Sequence, residues 1–221
     1  MNMTLSELMP LAPVIIVGIT MVLVMLLVSI KRHHALIGTT TVVGLNAALL
    51  TIIVQLTQPD AGPAMVSGLF MVDDYALFYQ ILILIAALAC CTLSHAYIEG
   101  YKNNREELYM LLLIAVAGAM LMVCSQNLTS FFFSLELLSV PTYGLLAYTH
   151  ERSKALEAGI KYMVLSATAS AAMLMGMAFL YAYTGSMDFK QIGMAIVQSL
   201  HHPLAVLGVA MITFAVAFKL S

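Results

Sequence analysis

Long apolar runs alternate with short polar ones along the whole chain, and the length of each run predicts a helix. A bilayer core of ~30 Å needs about 20 apolar residues of α-helix to cross it. Runs of about that length occupy 8–30, 35–56, 75–97, 108–125, 127–149, 160–183 and 203–221. The connections are short and polar with two exceptions. Residues 57–74 carry Gly and Pro, and 184–202 place Phe189, Ile192, Ile196 and Leu200 on one helical face. The second pattern predicts a helix lying along a membrane surface. The chain thus reads as an all-α polytopic membrane protein with about seven transmembrane helices.

Composition narrows the picture further. The chain is 62% hydrophobic and 9% charged, with a mean hydropathy of +0.99, whereas a soluble domain carries about 25% charged residues. So few charges cannot cover a water-soluble globule, so the lipid bilayer is the expected solvent. A net charge of −2, without a basic cluster, excludes nucleic acid as a partner. Cys90, Cys91 and Cys124 lie in apolar runs without metal or redox spacing, and are expected to be buried, unreactive thiols. The first run lacks a basic leader and is long enough to span, so it is expected to be retained as a helix. Lys31, Arg32, Lys102, Arg105, Arg152 and Lys154 occupy the first, third and fifth connections, against Lys190 alone in the others. The positive-inside rule then predicts an N-terminus on the outer side, with Asp60, Asp73, Asp74 and Asp188 also outside. The last run stops at Ser221 without a polar tail, and a fragment of a longer chain is expected.

Within this apolar background, "SFFFSLELLSVPTYGLLAY" (130–148) carries one carboxylate. Glu136 lies nine residues from the boundary residue Asn127, about 13 Å along a helix and near the bilayer centre. A charge there costs at least ~2.5–3.5 kcal/mol on insertion scales, so it must face other helices or water. A buried carboxyl turns neutral unless a cation holds it ionised, and either state suits proton transfer. The alternative is a structural anchor hydrogen-bonded to a neighbouring helix. Pro141 has no N–H for the carbonyl of Leu137, which loosens the helix just beyond the carboxylate and frees that carbonyl for water.

Lys161 leaves two readings open, since its stem can snorkel and Glu157 lies four residues earlier on the same face. Lys219 lies 16 residues after Pro203, about 24 Å along the helix, and it too can snorkel. The pairs His33–His34 and His201–His202 sit at boundaries with neighbouring side chains splayed apart, which disfavours a metal. Asp73 and Asp74 are expected to cap the helix that follows, and His95 to be interfacial. Ser166, Ala169, Ser170, Ala172 and Gly176 supply a close-packing face for a multi-helix bundle. No phosphate loop, nucleophile elbow, haem or iron–sulfur spacing is present in the sequence, so no cofactor is expected in this chain.

The stretches "HAYIEGYKNNREELYMLLLIAVAGAMLMVCSQNLTSFFFSLELLSVPTYGLLAY", "SKALEAGIKYMVLSATASAAMLMGMAFLYAYTGSMDF" and "FAVAFKLS" resemble the subunit N family of the bacterial proton-pumping NADH:quinone oxidoreductase, respiratory complex I, a family of antiporter-like membrane subunits. The resemblance is specific over 95–221 and collinear before that. It implies a fold of about fourteen helices with inverted repeats, of which 1–125 would supply four N-terminal helices and 126–221 the first, truncated part of a proton-translocating repeat. It implies proton translocation coupled to quinone reduction, with Glu136, Lys161 and Lys219 on the proton path and the glutamate modulating Lys219 in a broken helix. Flavin, iron–sulfur clusters and quinone are implied in partner subunits, membrane and peripheral, and the location implied is the bacterial inner membrane. A cation/proton antiporter subunit shares the Glu and Lys plan, although Pro141–Tyr143 and "YTGSMDF" lean towards subunit N. A non-conducting structural or assembly subunit is a third reading.

Overall fold

The computed structural model describes residues 8–30, 32–57, 63–98, 100, 106–148, 153–198 and 202–220. Lys31, Asp60, Lys102, Arg105, Arg152, Leu200, His201 and Ser221 of the sequence reading lie outside them. A 3-10 turn, Met9–Leu11, leads into α1 (Ala12–Ile30), followed by α2 (His34–Leu56), strands β1 (Ala64–Val66) and β2 (Phe70–Val72), α3 (Asp74–Ile98), α4 (Glu107–Val123), α5 (Leu128–Leu146), α6 (Ser153–Thr184), α7 (Phe189–Gln198) and α8 (Pro203–Leu220). Each of the seven expected runs contains a helix. The α1 helix with its leading turn, α2, α3, α6 and α8 are long and apolar enough to cross a membrane, and α4 is a shorter apolar helix. The fold is that of an all-α polytopic membrane protein.

Three features depart from expectation. Residues 64–72 form an antiparallel hairpin that pairs Ala64 with Val72 and Val66 with Phe70. Its reversal runs through Ser67 and Gly68, both at positive φ. The α6 helix starts at Ser153, ahead of the apolar run at 160, because the polar stretch before Lys161 is itself built of good helix formers, Lys154, Ala155, Leu156, Glu157 and Ala158. Cys90 is exposed, whereas Cys91 and Cys124 are buried as expected; adjacent helix positions point about 100° apart, so one of two neighbouring cysteines faces out.

The helices gather around two apolar clusters. One is built by α1 to α4 and the hairpin, around Val17, Ile37, Leu45, Leu84, Tyr109, Leu113 and Met120. The other joins α5, α6, α7 and α8 through Leu128, Met173, Met177, Leu180, Ile192 and Ala215. The apolar face of α7 expected from the sequence is turned onto this second cluster through Ile192 and Ile196, and Phe189 meets Phe131 edge-on at 6.3 Å.

Backbone hydrogen bonds tie the connections together at one end of the bundle. Met71 N–H donates to the Cys124 carbonyl at 2.7 Å, Gln126 N–H to Leu69 at 2.9 Å and Leu128 N–H to Met187 at 2.9 Å. Backbone groups near a membrane have few other partners, and these contacts satisfy helix-end donors and acceptors that the helices leave open. The opposite end is held by side chains. Arg32 pairs with Glu107 at 3.4 Å, His34 stacks on His95 with ring centroids 4.3 Å apart, and His95 Nδ1 lies 2.9 Å from the Tyr109 hydroxyl.

Between the two clusters, α4 and α5 touch backbone to side-chain-free backbone. A Cβ on Gly118 would lie 2.5 Å from Leu138 N and 2.7 Å from the Leu137 carbonyl carbon. Neither is the end of a flexible side chain, so relief requires the helices to separate. Gly118→Val is therefore expected to destabilise the protein by about 1–3 kcal/mol or more through overpacking, lowering the thermal unfolding midpoint in detergent. Gly18→Val, where a Cβ meets nothing within 4 Å, is expected to stay within about 0.5 kcal/mol of the parent. Equal midpoints for the two variants would contradict the packing described.

Candidate functional site: an interhelical ion pair

The carboxylate is positioned from the start of its helix. Asn127 is the N-cap of α5 and accepts the Ser130 N–H at 2.8 Å, while the Ser130 hydroxyl accepts the Asn127 N–H at 3.3 Å. This reciprocal capping box pins the first turn, and Glu136 follows about 13 Å further along the axis. Residues three and seven beyond it share its face, which places Ser139 and Tyr143 in line with the carboxylate. Pro141 interrupts the helix one turn further on.

The second partner comes from α8, whose place is set by glycines. A Cβ on Gly176 would lie 2.8 Å from the Gly208 carbonyl, and one on Gly208 would lie 2.9 Å from the Gly176 carbonyl. This close approach of α6 and α8 is the packing mode of small residues in membranes. It carries Lys219, in the last turn of α8, onto the Glu136 face of α5.

Lys219 Nζ donates to Glu136 Oε1 at 2.6 Å and to Ser139 Oγ at 3.1 Å. The two charged side chains are 9% and 26% exposed, respectively. The Ser170 hydroxyl of α6 donates to the same Oε1 at 2.6 Å. One turn along the seam, the Tyr143 hydroxyl donates to Ser166 Oγ at 2.6 Å, and the Tyr143 ring meets Tyr162 edge-on at 5.5 Å. Three helices therefore converge on one carboxylate oxygen. Opposite charges in hydrogen-bond contact compensate the cost of burying either, and each charge makes the other tolerable in a low dielectric.

The remaining candidates fall elsewhere. Lys161 pairs with Glu157 on its own helix, and both side chains are largely exposed, at 69% and 62%, so the fold does not bring Lys161 to the Glu136–Lys219 pair. Asp73 caps α3 as expected, accepting the Ala76 N–H at 2.8 Å, and Asp74 is in the first turn. His33 is exposed and His34 turns inward onto His95. His202 stacks on Tyr183 at 4.4 Å. Among the described residues, no three His, Cys, Asp or Glu side chains converge as a metal site. Ser166, Ala169 and Ser170 are buried on the close-packing face anticipated for them. The partners of the Ser166, Ser170 and Ser139 hydroxyls do not follow from the sequence expectations. The available signal was the spacing, i and i+4 on α6 facing i, i+3 and i+7 on α5.

Residues 125–221 match the family model described as NADH:quinone oxidoreductase/Mrp antiporter, TM. Over 100% of its length the chain is 64% identical to the NADH-quinone oxidoreductase subunit N of Acinetobacter baumannii, covering 45% of that protein. It is 50% identical, over 98% of its length, to the subunit N of Psychrobacter arcticus, again covering 45%. The chain thus spans less than half the length of the curated relatives it matches, at their N-terminal side. Among solved structures it resembles a chain of respiratory complex I from Thermus thermophilus, with a TM-score of 0.75, 28% identity, and coverage of 94% of this chain and 43% of that one. A chain of the Mrp complex from a Dietzia species shares the fold, with a TM-score of 0.75 at 22% identity, and coverage of 97% of this chain and 41% of that one. The interhelical ion pair lies within the part of the chain that matches the family model, residues 125–221, and the chain is similar over its whole length to NADH-quinone oxidoreductase subunit N proteins.

Proposed function

We propose that this chain is the N-terminal part of a membrane subunit that translocates protons in an NADH:quinone oxidoreductase, with the Glu136–Lys219 pair as its switchable element. The observation that carries this reading is the 2.6 Å contact between an ammonium and a carboxylate on different helices, with the two side chains largely withdrawn from the surface. Ionised Glu136 holds the proton on Lys219. When the glutamate charge is neutralised or drawn away, the ammonium loses its counterion in a medium that cannot replace it with water, and the proton leaves. On this reading redox energy enters through partner subunits that carry flavin and iron–sulfur clusters and reduce quinone, and it reaches this subunit as a displaced charge.

The separate apolar clusters of α1–α4 and α5–α8 support a division near residue 125, with the charged pair in the second unit. The bias of Lys and Arg towards the first, third and fifth connections supports an N-terminus on the periplasmic side of a bacterial inner membrane. Lys161, in the third turn of the helix that carries Ser166 and Ser170, is part of the same polar route, with Glu157 as its resting partner.

Mrp-type antiporter complexes share the fold, so a cation/proton antiporter subunit is the second reading. The 64% identity to a subunit N protein over the full chain favours the first. Deleting the full-length protein is expected to impair NADH oxidation by native membranes. An effect confined to sodium and alkali tolerance would favour the antiporter.

In the assembled complex, Glu136→Gln is expected to lower proton uptake by inverted membrane vesicles, together with coupled quinone reduction, at normal assembly. Full coupled activity in that variant would refute the assignment. Lys219→Ala is expected to reduce proton uptake at least tenfold, the size of a lost charge interaction of ~1.4 kcal/mol or more. Lys161→Ala is expected to reduce it less, because an exposed i, i+4 pair contributes only about 0.3–0.5 kcal/mol.

A further inference from the structure

Glu136 Oε1 takes two donors at the same distance, the Lys219 ammonium and the Ser170 hydroxyl. The ammonium supplies the counter-charge. The hydroxyl has a second acceptor within reach, the Ser166 carbonyl one turn back on its own helix, 3.1 Å away. A serine has a single hydrogen to donate and lone pairs to accept with, so it serves one of these acceptors at a time. Ser170 is buried, at 8% exposure, which keeps competing water scarce.

The charge on Glu136 decides between the two acceptors. A hydrogen bond to an ionised carboxylate is roughly twice as strong as one between neutral groups, so ionised Glu136 takes the hydrogen. A protonated Glu136 is itself a donor, and Ser170 can accept from it only by turning its own hydrogen to the Ser166 carbonyl. Both arrangements keep the Ser170 hydroxyl paired with the Glu136 carboxyl group, and neither requires α5 or α6 to move.

We infer that Ser170 is a positioning residue for the Glu136 carboxylate, a hydroxyl rotor that pairs with it in both charge states. The inference rests on the proton-translocation reading above. The second acceptor is fixed in place as a main-chain carbonyl inside α6, and the Tyr143 hydroxyl of α5 donates to the side-chain Oγ of the same residue at 2.6 Å. The groups facing Glu136 are accordingly Lys219 and Ser170 from the neighbouring helices, with Ser139 and Tyr143 on its own helix and Tyr162 against Tyr143. The other hydroxyl nearby on α6, that of Thr168, is exposed and bonded to Val164 at 2.9 Å, so it offers a control on the same helix.

The test uses the full-length protein in its native membrane assembly, in inverted vesicles, with assembled subunit quantified for each variant. NADH-driven proton uptake is followed with a pH-sensitive dye across a range of pH. Ser170→Ala is expected to lower uptake per NADH several-fold and to displace its pH profile by about one unit, the size of a lost hydrogen bond to a charged group. Ser170→Thr, which keeps the hydroxyl, is expected to restore both, and Thr168→Val to change neither. Should Ser170→Ala fail to assemble, Ser170→Cys decides, since it fills the site with only a weak donor.

An unshifted profile with normal uptake in Ser170→Ala, alongside an inactive Glu136→Gln, overturns the rotor and leaves the translocation reading intact. Equal impairment of Ser170→Thr and Ser170→Ala without a displaced profile overturns it as well, because that pattern belongs to packing. Full activity of Glu136→Gln overturns the translocation reading and the rotor with it.

Discussion

A charge in a hydrocarbon medium must be compensated, and the architecture around Glu136 follows from that constraint. The carboxylate sits about 13 Å from the capped end of its helix, where neither end of the bundle lies within reach of its short side chain. Compensation therefore has to come from another helix, which fixes the relation of α8 to α5, and the glycine contact of Gly176 with Gly208 is what lets α8 come close enough. The hydroxyls of Ser139 and Ser170 complete the coordination of the two charges. Removing either charge would strand the other, so the pair is more an arrangement of mutual necessity than a source of stability.

Buried polarity in the rest of the bundle follows a different logic. Thr20 and Thr41 return their hydroxyls to the carbonyls one turn back on the same helix, which satisfies them without involving a neighbour. Glu136, Ser139, Ser170 and Tyr143 bond across helices. The contrast separates polar atoms that are merely accommodated from those that join the α5–α6–α8 unit.

Much of this was legible in the residues. Helix number and order follow from apolar run length, Asp73 and Asn127 stand where caps belong, and Glu136 is conspicuous because a carboxylate among phenylalanines and leucines has no solvent. Lys219 was ambiguous for a definite reason. A long side chain near a helix end can reach an interface or a partner, and only the crossing of α8 over α6 and α5 decides between them. Lys161 took the local partner because Glu157 is one turn away and needs no tertiary contact to be found. The hairpin at 64–72 was hidden because its strands, Ala64–Val66 and Phe70–Val72, are too short to show alternation. The exposure of Cys90 depends on which side of α3 meets its neighbours, and composition carries no information about that.

The two ends of the bundle are fastened by different means. At one, the hairpin, the α4–α5 link and the α6–α7 link are joined through peptide groups; at the other, contacts run through the side-chain ends of Arg32, Glu107, His34 and His95. Main-chain bonds of this kind cannot lengthen by a change of rotamer. The start of α5 is accordingly moored, and Glu136 hangs at a set depth below that mooring. A piston stroke of the helix is thus an unsuitable way to move its charge, and on the proposed reading protons migrate and side chains turn within a stationary frame.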